Sequence, residues 1–162
     1  MPIFLQTLEN SQVGVLVRES LYGFPILVGI HILGLVLSVG TFLWFDLRLL
    51  GFALRSAAVS RVYRHIIPWA TSGFMVMFLS GAMLFTGYAT KAYGNPYFRV
   101  KVAALLLAGL NAALYHVVTE RGQPAWDTAT RLPPAARAAG LISLLLWATV
   151  IMCGRLMAYT MY

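Results

Sequence analysis

The stretch LYGFPILVGIHILGLVLSVGTFLWF, residues 21–45, contains no Asp, Glu, Lys or Arg and a single histidine, His31. A helix rises about 1.5 Å per residue, so a run of this length crosses a hydrocarbon core roughly 30 Å thick. Three more runs repeat the pattern. Ile66 to Phe85 is uncharged, Val100 to Val118 carries only Lys101, and Leu141 to Tyr159 carries only Arg155. Barrel strands would need short segments of alternating polarity, which these are not. The predicted fold is all-α, an integral membrane bundle of four spans at about 21–45, 66–87, 98–119 and 139–160, forming a single domain over 1–162.

Composition points the same way. Hydrophobic residues make up 60% of the chain and charged ones 10%, against roughly 25% charged in an average soluble domain. The formal charge of +7 is spread over span ends rather than gathered on one face, which suits lipid head groups and not nucleic acid. Cys153 stands alone, so an internal disulfide, a CxxC pair and an iron–sulfur set are excluded.

Residues 1–19 read as an interfacial segment. Phe4, Leu5, Leu8, Val15 and Leu16 alternate with Gln6, Glu9, Asn10 and Gln12, the pattern of one short amphipathic helix on the membrane surface over Phe4 to Arg18. No cationic leader precedes it and no small-residue cleavage site follows the first span, so a removable signal is not expected. Arg48, Arg55, Arg61 and Arg64 fall in the first connection, and Arg121, Arg131 and Arg137 in the third. The other side holds Arg18, Lys91, Arg99, Lys101 and Arg155, so the balance is 7 against 5 among the 12 cations. Positive charge stays inside, which puts both termini on the periplasmic side of a bacterial inner membrane. Gly94-Asn95-Pro96 predicts a tight turn before the third span, Pro68 suits the first turn of the second, and Pro133-Pro134 precedes the fourth.

Ionisable groups inside a bilayer cost several kcal/mol and tend to mark function. His31 lies near the middle of the first span with Gly34 and Ser38 on its face. His116 lies in the last turns of the third, beside Ala113, Ala112 and Gly109. Small residues next to an imidazole leave a slot for a flat macrocycle with the ring nitrogen on haem iron, although they also let membrane helices approach closely with no cofactor at all. By depth, His31 falls roughly 3 Å to the outer side of the midplane, His116 on the order of 10 Å inward and His65 on the order of 16 Å inward. His31 with His116 is the first choice of axial pair; His65 with His116 rivals it. Lys101, Arg155 and Arg99 gather near the outer rim, placed to hold haem propionates or a quinone head group, or simply to snorkel. Asn111 calls for an interhelical hydrogen bond. Met157 and Met161, four apart, add a soft-ligand reading for Cu(I) with His31.

The segments RESLYGFPILVGIHILGLVLSVGT, FDLRLLG, IIPWATSGF, YGNPYFRVKVAALLLAGLNAALYH and GRLMAY resemble an uncharacterised bacterial family of four-span membrane proteins over nearly the whole chain. More distantly, the first span with His31 and Gly40 and the third with Lys101 and His116 are similar to CopD-like and HemJ-like four-helix proteins. The HemJ-type oxidases hold haem b with a first-span histidine and a third-span lysine, which implies His31 and Lys101 here; a lysine must lose its proton to ligate. CopD-like proteins are linked to copper uptake. The leading expectation is therefore a haem b protein passing electrons from a quinone or tetrapyrrole-like reductant. A cofactor-free accessory subunit of a larger membrane complex and a copper permease are the alternatives.

Overall fold

The structure, a computed structural model, describes residues 3–119, 125–129 and 131–160, without the side chains of residues 118 and 119. Every regular element among them is helical: α1 (Ile3–Glu9), α2 (Gln12–Glu19), α3 (Gly23–Leu50), α4 (Val59–Gly87), α5 (Ala89–Gly94), α6 (Pro96–Leu114), a π-helical turn (Tyr115–Thr119) and α7 (Pro134–Thr160). Four helices are long and apolar enough to span a membrane: α3, α4, α6 with its extension to Val117, and α7. Met161 and Arg121 lie outside the described residues.

The four spans form a ring in chain order with three tight seams. α3 packs along α4, α7 along α3, and α6 along α7, whereas α4 and α6 hardly touch. The α3–α4 seam is the closest. A Cβ added to Gly34 would come within 2.6 Å of the Met77 nitrogen, and one added to Gly73 within 2.5 Å of the Ser38 nitrogen. Lipid tails are as apolar as leucine, so such backbone contact, rather than burial of oil from water, drives helices together here. At the fourth seam, Phe85 of α4 stacks on Phe98 of α6 near one end, with ring centres 5.2 Å apart. Tyr63 of α4 bonds His116 of the π turn near the other, at 2.7 Å.

Helix ends explain where the sequence reading needs correction. The N-terminal segment is two helices, not one. Ser11 accepts from the Gly14 amide and donates to Leu8 O, ending one helix and capping the next. Neither helix floats free: Gly14 of α2 sits against Thr86 O, and Glu9 of α1 accepts from both the amide and the hydroxyl of Thr90.

α3 runs past Phe45 to Leu50 and stops at Gly51, whose φ of 79° is the left-handed conformation glycine adopts freely. That extension carries Asp46 and Arg48 into the bundle, where both are buried. Arg48 is thus no head-group cation. Its Nε donates to Ala57 O at 2.9 Å and its Nη2 to Ala129 O at 3.4 Å, tying the two connections at this end together.

α4 begins at Val59, so Pro68 lies inside the helix rather than in its first turn. Its missing N–H leaves Arg64 O without the usual helical donor. The early start has a partner elsewhere in the chain: Val59 donates its amide to Asp127 O, and Ser60 gives its amide and hydroxyl to the two Asp127 carboxylate oxygens, at 2.7 Å each. Asn95 caps α6 by accepting from the Tyr97 amide, with Pro96 at the first helical position. The Asn111 amide makes the interhelical bond expected of it, to Ala139 O at 3.0 Å.

Two outcomes follow. Gly73→Ala forces backbone against backbone and lowers stability by about 1–3 kcal/mol, seen as a lower thermal unfolding midpoint in detergent; Gly29→Ala, where a Cβ meets nothing within 4 Å, leaves the midpoint unchanged or raises it. Burial pushes the Asp127 carboxyl up, but the Ser60 hydrogen bonds and the charges of Arg48 and Arg64 outweigh this and hold it below its usual 3.8. A depressed carboxylate stabilises the fold above that value and stops doing so as pH falls through its lower folded value. Amide exchange at Val59 and Ser60, corrected for intrinsic rates, should accelerate in that acid range and be already fast at neutral pH in Asp127→Asn.

Candidate functional site

Two cavities lie between the spans, one toward each end of the bundle. The first, of about 220 Å³, is half open and lies at the end where α3 and α6 begin and α4 and α7 finish. It brings together His31 of α3 and Lys101 of α6 under an apolar lining that includes Phe24, Phe85, Phe98 and Met157.

α3 approaches α4 closely enough at Gly34 and Gly73 that the next residues up, His31 on one and Met77, Ser80 and Gly81 on the other, face each other. His31 Nδ1 lies 2.8 Å from Met77 O and 3.2 Å from Ser80 Oγ. A carbonyl only accepts, so Nδ1 carries the proton. Ser80 spends its own proton on Val76 O at 2.6 Å, which leaves its oxygen as a second acceptor. In the neutral ring Nε2 then keeps a lone pair, and it has no partner among the described residues. Gly81 makes room for the ring, since a Cβ there would stand 2.9 Å from Cε1. This is how ligating histidines are usually held: the second nitrogen donates to a fixed acceptor and sets the tautomer.

Lys101 has no hydrogen bond or ion pair among the described residues, and a Cβ on Gly154 would lie 3.6 Å from its Nζ. An amine held in an apolar slot by small neighbours is available to a ligand. Lys91 lines the same cavity.

The structure places the remaining expected site residues elsewhere. His116 lines the second cavity, not that of His31. Its Nε2 is already bonded to the Tyr63 hydroxyl at 2.7 Å. The pairing of His31 with His116 is therefore corrected: α6 runs on past Lys101 for the length of the span, and His116 at its far end lines a different cavity. His65 lines neither cavity; it is exposed and its Nδ1 bonds Arg61 O within its own helix, so it does not meet His116. Arg99 lies over the Tyr93 ring and Arg155 over the Tyr159 ring. Both are exposed and neither lines a cavity, so the outer-rim cation cluster is not assembled around His31.

The second cavity, of about 260 Å³, was not anticipated as a site. Asp46, Asn111 and Ser143 line it together with His116, amid Phe42, Phe74 and Trp147. Asp46 escaped notice because it follows Phe45, where the uncharged run ends, and so read as the first residue of a loop. An acidic residue within five positions of a helix end, followed by another arginine and two leucines, was the signal available.

The chain belongs to DUF6644, a family of unknown function. The match covers residues 7–160, hence all four spans and both cavities. No curated protein and no solved structure matches the chain. Membership in DUF6644 accordingly brings no activity with it, and the chemistry rests on the side chains themselves.

The local geometry of His31 is directly measurable. Imidazole ¹⁵N spectra should give a neutral His31 protonated at Nδ1, and Gly81→Ala should disturb that signal while leaving those of His65 and His116 in place.

Proposed function

We propose that this chain is a membrane haem b protein in which His31 Nε2 and Lys101 Nζ are the protein ligands to the iron. One observation carries the reading: two nitrogen donors from spans that are not sequence neighbours line one apolar cavity, the imidazole oriented through Nδ1 and the amine unpaired. The residues fit the group. Imidazole and neutral amine are suitable haem ligands, the lining is largely apolar, and Gly81 and Gly154 keep Cβ atoms away from both donors. Ligand pockets usually hold roughly 300–1,000 Å³, more than the enclosed 220 Å³, but this cavity is half open and does not cap the size of its occupant.

When bound, the haem supplies one-electron redox chemistry, with a quinone or tetrapyrrole-like reductant on one side and a partner on the other. The protein's part is to fix the imidazole tautomer through Met77 O, to hold an unpaired amine opposite apolar walls, and to offer Lys91 to a propionate. The distant likeness to HemJ-type proteins, with their first-span histidine and third-span lysine, supports the same two residues.

Protein purified from haem-replete cells should show a Soret band that shifts on dithionite reduction. His31→Ala and Lys101→Met should each abolish or shift it, and His116→Ala should leave it in place. A monodisperse wild-type protein with no Soret band overturns the proposal.

A further inference from the structure

We infer that the second cavity binds the ring of a quinol-class lipid, reached from the bilayer through the open seam between α4 and α6. This goes beyond the haem reading and does not depend on it.

Two side-chain oxygens at this cavity lack hydrogen-bond partners among the described residues. Asp46 is 4% exposed, accepts from the Ser143 hydroxyl, and has no partner for Oδ2 among the described residues. Asn111 uses Nδ2 on Ala139 O, and its Oδ1 has no partner among them either. A carboxyl oxygen buried as deeply as Asp46 Oδ2 is costly unless something completes its hydrogen bonds. Asp46 and Asn111 both line the same cavity, so an occupant that completes them carries hydrogen-bond donors.

The walls define the rest of that occupant. Phe42 and Trp147 stack with ring centres 6.0 Å apart and line the cavity with Phe45, Tyr63 and Phe74. These surfaces suit a flat ring. Access is from lipid: exposed Thr71 of α4 and exposed Gly109 and Ala112 of α6 line the cavity where the two spans stand apart. A lipid-soluble aromatic ring bearing hydroxyl donors is a quinol. Its hydroxyls donate to Asp46 Oδ2 and Asn111 Oδ1, and its chain leaves along the seam.

The test is equilibrium binding of a short-chain benzoquinol to the full-length protein in nanodiscs free of native quinone, kept anaerobic, beside the same ring with both hydroxyls methylated. The quinol should bind saturably and at least ten-fold tighter than its dimethyl ether, a difference of about 1.4 kcal/mol. Asp46→Asn should weaken quinol binding about ten-fold. Gly109→Leu, at a position where a Cβ meets nothing within 4 Å, should block the cavity without disturbing helix packing and weaken binding at least as much. Lys101→Met should keep quinol binding, and a wild-type protein that binds quinol but shows no Soret band sinks only the haem reading. Equal affinity for quinol and ether makes the cavity a slot for any apolar molecule and overturns the inference. Wild-type affinity in both the Asp46→Asn and Gly109→Leu proteins overturns it as well.

Discussion

Two spans, α3 and α4, meet backbone to backbone at Gly34 and Gly73, and the rest of the arrangement depends on that contact. No side chain stands between the two helices there. Association in lipid relies on such contact because apolar side chains gain nothing by leaving one hydrocarbon environment for another. The contact sets the distance between the helices, and that distance lets His31 reach a carbonyl of α4 one turn away. A bulkier pair would part the helices and leave His31 to find a partner within its own span or none.

With three seams of the ring closed, the fourth takes what is left. α4 meets α6 through Phe85 with Phe98 and through Tyr63 with His116, and both cavities lie inside the ring flanking that seam. The two differ in character. The one at His31 holds an imidazole and an amine with no partner for Nε2 or Nζ among the described residues; the one at Asp46 holds oxygens without partners there, Asp46 Oδ2 among them. The proposed haem and the inferred quinol are thus assigned to opposite ends of one bundle by the complementary needs of the side chains there.

The end that holds Asp46 is also the more heavily braced. Arg48 is fully buried and its guanidinium bonds carbonyls of two different connections, while Asp127 caps α4 from 67 residues away. Buried charge of this kind is costly unless it is hydrogen-bonded; here Nε and Nη2 are bonded, and Nη1 has no partner among the described residues. Arg48, which by sequence falls among the cations of a loop, turns out to be a fastening of that rim.

The number and approximate place of the spans were legible in the sequence, because the bilayer imposes one length and one polarity on anything that crosses it, and a run such as residues 21–45 meets both conditions without reference to any other residue. The break at Gly94-Asn95-Pro96 before the third span and the interhelical bond of Asn111 were legible for the same reason: the signal is local. What only the tertiary structure decided is pairing. His31 and His116 both sit beside small residues and look alike in sequence, yet one meets Lys101 and the other Tyr63. The start of α4 depends on Asp127, and the burial of Asp46 depends on α3 continuing past its last apolar neighbour. Those outcomes follow from which helices touch and at what height, and helical periodicity within a single span says which face a residue occupies but not which neighbour that face will meet.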